Sequence, residues 1–197
     1  YTPGSSTTTL TFSPEPDATG STIFEILVTD NQGYQITHFI PVTVNPINDV
    51  PVAVNDFFSI DENSILESGN VFASNPDLPD QDRDGQGFLV TAVSGGVVGT
   101  WFTLDSGARL KINSDGSFSY DPDQKYEFLA EEETAVDSFI YTITDEAGAT
   151  DTATVQISIN GVNDTPELSD PINMVFSEED AESTLDLLTH ASDADMS

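Results

Sequence analysis

The sequence predicts an all-β chain built as tandem two-sheet sandwiches, and three observations predict it. Short runs of alternating apolar and polar residues are separated by turn residues every 8–12 positions. No stretch of twelve residues carries a clean helical period. A pair of motifs returns at an offset of 115 residues. Phe24–Gly33 (FEILVTDNQG) recurs as Phe139–Gly148 (FIYTITDEAG), and Val44–Pro51 (VNPINDVP) recurs as Ile159–Pro166 (INGVNDTP). Two motifs repeating at one offset without a gap mark copies of one domain. Residues 1–50 are thus expected to be the C-terminal half of one copy, 51–166 a complete copy, and 167–197 the N-terminal part of the next. On this reading the chain begins and ends inside a copy.

In the complete copy, Phe57 to Ile60 forms a brief first strand. Phe88–Val93 is rich in β-branched residues and forms the next. Gly95 and Gly96 break it, and Val97 to Leu104 follows as a further extended run. Arg109–Asn113 alternates outward charge with inward aliphatics, Ser114–Ser117 turns the chain with Asp115 and Gly116 expected to supply the positive φ angles of a hairpin, and Phe118–Tyr120 returns. Phe139, Tyr141 and Ile143 share one face of the strand Ser138 to Thr144, and Ala153 to Ile159 again has period two. About seven short strands in a unit of this length describe an immunoglobulin-like sandwich. Without cysteine its core must rest on Phe, Tyr, Val and Ile. The one helix-like stretch is Ala181 to His190. The Asn-Asp-x-Pro connections between copies are too short for a floppy tether, so neighbouring copies must touch or nearly touch.

Charge is extreme. The 197 residues include 35 acidic side chains against 4 Lys plus Arg, a formal net charge of −31. Such a field repels phosphate, so nucleic acid is excluded as a partner, and it opposes compaction unless cations neutralise it. The strand patterns and 12 Phe argue for a folded protein rather than a disordered acidic one. No run approaches the roughly 20 apolar residues of a membrane-spanning helix. His38 and His190 lie in different copies without a nucleophile set beside them, so no enzyme is expected.

The order of strands places the acids. The long loop Ser74–Gly85, the last hairpin turn with Asp145 and Glu146, and the incoming linker with Asn48 and Asp49 should meet at one end of the sandwich. Two carboxylates about 4 Å apart repel by roughly 4 kcal/mol at an effective dielectric of 20, so such a cluster needs a cation or separation. Hard oxygen ligands without His or Cys select calcium. Asp80, Asp82, Asp84 and Gly85 match the first half of an EF-hand loop, but Thr91 stands where the bidentate Glu is required, which favours a calcium loop of another kind.

These residues resemble the bacterial cadherin-like, VCBS-type tandem repeats of long secreted adhesins with RTX-type C-termini. Asn-Asp-x-Pro at 48–51 and 163–166 is similar to the inter-domain linker, Asp61-Glu62 and Glu178-Glu179 to the Glu after the first strand, and Asp77 and Asp193-Ala194-Asp195 to the Asp-x-Asp loop. Asn113–Pro122 is similar to the family's hairpin, and Asp137–Tyr141 to its penultimate strand. The resemblance implies a cadherin-like Greek-key fold, an extracellular or bacterial cell-surface location, and calcium between domains. It places one junction on Asn48, Asp49, Asp77 and Asp145, with Asp80, Asp82 and Asp84 as further candidates, and the next on Glu62, Asn163, Asp164, Asp193 and Asp195. The Leu-Asp-Arg-Glu motif of animal cadherins is absent, so three ions per junction are not implied. The expected function is a calcium-stiffened spacer that holds a distal adhesive domain away from the cell, partnered by neighbouring repeats and otherwise monomeric. A carbohydrate-binding module is the competing reading, and a non-catalytic domain attached to a secreted hydrolase is a third. Trp101, Tyr120, Tyr126 and Tyr141 read as core or rim residues, and Glu131–Glu133 as a solvated loop.

Overall fold

The computed structural model describes residues 9, 11–73, 78–168, 178 and 191–195. The chain divides into two compact units, Tyr1–Asp49 and Val50–Ser197. Every regular element among the described residues is a strand.

The second unit holds the sandwich. One sheet orders β3 (Asp56–Asp61), β10 (Thr150–Asn160), β9 (Thr134–Asp145) and β5 (Phe88–Val93). The other orders β4 (Leu66–Asn70), β8 (Ser117–Asp121), β7 (Arg109–Ile112) and β6 (Phe102–Thr103). β3 runs parallel to β10, from Asp56 opposite Val155 to Asp61 opposite Asn160, while β9 pairs antiparallel with both β10 and β5. The period-two pattern read in the sequence is the burial pattern of these strands. Phe139, Tyr141 and Ile143 on β9 and Val155, Ile157 and Ile159 on β10 face inward and are fully buried, as are Leu110, Ile112, Phe118 and Tyr120 on the facing sheet. Phe118 ties the two sheets together. Its ring meets Phe58 edge-on at 4.9 Å and Phe139 at 5.5 Å. Such contacts add about 0.5–1.5 kcal/mol beyond burial.

Two expectations are corrected. Val97 to Leu104 is extended only at Phe102–Thr103, because Gly95 and Gly99 take positive φ of 76° and 84° and Thr100 closes a turn on the Val97 carbonyl. In the Ser114–Ser117 turn only Gly116 takes a positive φ, of 80°, while the Asp115 carboxylate accepts the Ser117 N–H and hydroxyl. The Ala181–His190 stretch lies outside the described residues.

The first unit contains a hairpin of β1 (Gly20–Thr29) and β2 (Gln35–Val44). Its register, from Gly20 opposite Val44 to Thr29 opposite Gln35, is that of β9 and β10 at the same offset of 115 residues. The turns also agree. Asp30 N–H donates to the Tyr34 carbonyl at 2.9 Å and Asp145 N–H to the Ala149 carbonyl at 3.0 Å, with Gly33 and Gly148 both at positive φ. Phe12 packs on Phe24 with ring centroids 4.6 Å apart.

β11 (Glu167–Leu168) and β12 (Ala191–Ser192) form a short antiparallel pair in the second unit. This pair lays residues 193–195 beside the chain that leaves β10.

Candidate metal centre

Glu62 follows β3 directly, and the parallel pairing of β3 with β10 puts it beside the exit from β10. Its backbone N–H donates to the Asn160 carbonyl at 3.0 Å. Its carboxylate Oε1 accepts the Val162 N–H at 2.8 Å. The side chain is 2 % exposed, and Oε2 is buried without a hydrogen-bond partner. Two residues beyond Val162, the Asp164 N–H donates to Asp195 Oδ2 at 2.8 Å, and the Asp195 N–H donates to Asp193 Oδ1 at 3.1 Å. Asn163 holds the linker by donating from Nδ2 to the Asp164 carbonyl at 2.8 Å. Asp164 Oδ2 and Asp195 Oδ1 are, like Glu62 Oε2, buried without partners.

Glu62, Asp164 and Asp195 therefore come from three distant segments with one carboxylate oxygen apiece inside a 4.8 Å cluster. A buried polar atom without a partner costs about 1–3 kcal/mol, and more when charged. Burial pushes the Glu62 carboxyl above its usual range, and the charges of Asp164, Glu127 and Asp195 add to this against the lowering effect of the Val162 N–H. A hard divalent cation answers both problems, since it accepts the orphaned oxygens and cancels their repulsion. The donor set is oxygen throughout, which fits calcium and not zinc or copper.

The other expected residues fall into separate roles. Asp82 Oδ1 accepts the Asp84 N–H at 2.9 Å, the same turn that Asp193 makes with Asp195, and the Val52–Gln81 bridge corresponds to the pairing of Glu167 with Ser192. Asp82-Arg83-Asp84 is thus the counterpart of Asp193-Ala194-Asp195. Asp82 Oδ2 is a fourth buried oxygen without a partner. It belongs to the opposite end of β10 from Glu62, because Val52 leads into Ala53, whose N–H donates to Asp151 near the start of that strand. Asp77, the expected representative of this motif, lies outside the described residues.

Asp80 is drawn into the core instead. Its Oδ1 accepts the Val54 N–H at 2.7 Å and its Oδ2 accepts the Tyr141 hydroxyl at 2.9 Å, and burial holds its carboxyl above the ordinary range. Asp56 Oδ2 lies 3.1 Å from the same hydroxyl. Asp145 is buried and fastens its own turn by accepting the Ala149 N–H at 2.7 Å. Asn48 and Asp49 belong to the first unit, where Asn48 Nδ2 donates to the Asp49 carbonyl at 2.9 Å, the geometry of Asn163 and Asp164.

Sequence reasoning missed Glu127, in the loop between β8 and β9, whose charge reaches Glu62. Nothing in its local sequence distinguishes it from the other acids of that loop. Trp101 is 44 % exposed, with the Arg109 guanidinium 5.2 Å from its ring centroid, while Tyr120 is buried and donates to Asp137. Tyr126 is buried and Glu131–Glu133 are exposed.

A two-sheet sandwich with an acidic cluster at the exit of its last strand defines a cadherin-type module. A family model described as "Bacterial cadherin-like domain" matches residues 48–161, more than half of the chain, and the chain belongs to that family. Among solved structures, human mucin-like protocadherin EC1-2 is similar at 17 % identity and a TM-score of 0.50, over 78 % of this chain and 74 % of that one. Protocadherin gamma C5 EC1-3 is similar at 16 % identity and a TM-score of 0.40, over 85 % of this chain and 52 % of that one. A nucleoside hydrolase-related hypothetical protein from Saccharophagus degradans associated with carbohydrate metabolism is similar at 15 % identity and a TM-score of 0.36, over 59 % and 26 % of the two chains. No curated protein matches. The family is one of extracellular, adhesion-type modules without enzymatic activity, whose members typically bind calcium. No helix among the described residues is long and apolar enough to cross a membrane.

Proposed function

We propose that this chain is a calcium-stiffened extender segment of a large bacterial surface adhesin of the RTX-secreted kind. The observation that carries the reading is the set of three buried, partnerless carboxylate oxygens on Glu62, Asp164 and Asp195. Glu62 belongs to the start of the complete repeat (51–166), Asp164 to its outgoing linker, and Asp195 to the next repeat (167–197), with residues 1–50 the back half of the preceding one. A calcium ion on these ligands would fasten all three segments, supplying positive charge and several oxygen-coordination positions at once. Extracellular calcium modules bind at about 10⁻⁴–10⁻³ M, the range in which such a lock sets outside the cell and opens inside it. Asp82, with its own partnerless oxygen, supports a second cation site at the other end of β10, in the turn that it closes with Asp84. The partners are neighbouring repeats of the same polypeptide, and the segment is a monomer.

Small-angle scattering in EDTA and in millimolar calcium tests the stiffening. The reading expects a calcium-specific increase in maximum dimension and a narrower distribution of shapes. Identical profiles would remove the mechanical role. The carbohydrate reading has less to stand on, since Trp101 is paired with Arg109 and no second exposed ring is stacked beside it among the described residues.

A further inference from the structure

Basic side chains are scarce in this chain, and three of the four gather at one hairpin. Arg109 and Lys111 alternate on β7 with Leu110 and Ile112, which are fully buried, so both bases stand on the outer face of the sheet β4–β8–β7–β6. Lys125 lays its side chain over Gly107 in the turn that joins β6 to β7, where an added methyl group would stand 2.9 Å from Lys125 Cε. Among the described residues neither Arg109 nor Lys111 forms an ion pair, although the chain carries 35 acids. Asp121 is the acid in register with Arg109, and its Oδ1 is engaged by the Asp123 N–H at 2.9 Å.

The same face carries the one tryptophan of the chain. Phe102 packs against the core, so Trp101 and Thr103 flank it on the outer side. Trp101 is 44 % exposed and holds the Arg109 guanidinium 5.2 Å from its ring centroid. Register sets Thr103 beside Arg109 and Ser119 beside Lys111. An exposed ring, two cations and two hydroxyl side chains therefore share one surface.

The charge of this surface is opposite to that of the molecule. At physiological ionic strength charges beyond about 8 Å are largely screened, so a small anion here meets Arg109 and Lys111 rather than the net charge of −31. A guanidinium held against a ring keeps its planar fork for a carboxylate. The uncovered part of the ring suits the C–H face of a sugar, and the hydroxyls suit its polar rim. A peptide would need a sheet edge, and β6, at two residues, offers little of one.

We infer that Trp101, Arg109 and Lys111 form a binding site for an acidic sugar, a uronic acid unit of a polysaccharide, whose carboxylate sits between the two bases while its ring stacks on Trp101. Trp101 alone serves a neutral sugar poorly, and the bases beside it make the site selective for the charged one. The site is separate from the Glu62 cluster and does not rest on the calcium reading.

The test reads Trp101 fluorescence, which reports this face alone in a chain with one tryptophan. A galacturonic acid trisaccharide is titrated into the 197-residue chain in calcium and in EDTA, beside the neutral galactose trisaccharide and a short glutamate peptide. The inference expects a saturable change with the uronate in about the millimolar range, and none with the other two. Arg109→Gln and Lys111→Gln should weaken the uronate about fivefold or more, while Arg109→Lys, which keeps the charge, should weaken it less. Unfolding midpoints of the variants equal to that of the parent separate lost binding from lost folding. No response to the uronate would overturn the inference, as would an equal response to the neutral sugar or to the peptide. Binding that vanishes in EDTA and is untouched in Arg109→Gln would also overturn it, since that marks a metal bridge to the acidic surface.

Discussion

Glu62 and Val162 stand 100 residues apart in sequence and are joined by a 2.8 Å hydrogen bond from the Val162 N–H to Glu62 Oε1. The Glu62 carboxylate held in this way has an oxygen within 4.8 Å of carboxylate oxygens of Asp164 and Asp195. One oxygen is used to position the carboxylate, and the other is buried without a partner. On the proposed calcium reading, structural and binding roles are divided within one side chain.

The first prediction concerns pH. The folded-state pKa of Glu62 is raised above the ordinary carboxylate value, chiefly by burial. A carboxyl with a raised pKa contributes stability below its unfolded value and loses it as pH rises through the folded one. In EDTA, then, the unfolding midpoint should rise as pH is lowered from neutrality toward the ordinary carboxylate range, and Glu62→Gln should flatten the response. In calcium the slope should reverse, because protonation competes with the ion. A metal-free midpoint that falls over the same interval would contradict the assignment of a repelling cluster.

The second concerns Tyr141, whose hydroxyl meets Asp80 Oδ2, Asp56 Oδ2 and the Val54 carbonyl. Burial and the two carboxylates push its pKa far upward, so it stays neutral. Tyr141→Phe removes the donor between two buried acids and should cost about 1–3 kcal/mol in denaturant unfolding. The loss should be the same in EDTA and in calcium at the Glu62 cluster. A variant as stable as the parent would mean that the two acids find other donors.

The third concerns Gly161. Gly161→Ala forces the linker off the Leu129 and Ala130 carbonyls and should cost about 1–3 kcal/mol, the ordinary penalty of overpacking. Since the linker leads to Asp164, calcium affinity should fall with it. Full retention of both stability and affinity would show that the loop yields freely.

Much of this was legible in the sequence, and the residues show why. β9 and β10 announce themselves because each inward position is filled by a large apolar side chain. β4 does not, because its sequence is Leu-Glu-Ser-Gly-Asn and its one buried position is Gly69, which must be small because the ring of Phe118, its partner on the neighbouring strand β8, lies over it. A strand defined by what it leaves room for carries no hydrophobic signal. Among the acids, the linker pair Asn163-Asp164 and the Asp193-x-Asp195 turn were reached through the family resemblance, whose motifs are local and are held by short-range hydrogen bonds. Asp80 could not be separated from its neighbours Asp82 and Asp84. Only the fold decides that Asp80 meets Tyr141 in the core while Asp82 keeps a free-standing oxygen. Glu127 was missed for the same reason, since only the course of the β8–β9 loop brings its charge within reach of Glu62.

The central claim is that the Glu62, Asp164 and Asp195 oxygens await a calcium ion. Thermal unfolding of the chain in EDTA, in millimolar calcium and in millimolar magnesium tests it most directly, with Asp164→Asn measured alongside. The account predicts a large rise in midpoint with calcium, little with magnesium, and a much smaller calcium response in the variant. Equal midpoints in all three conditions would contradict it and would make the acidic cluster a cost that the fold carries without a ligand.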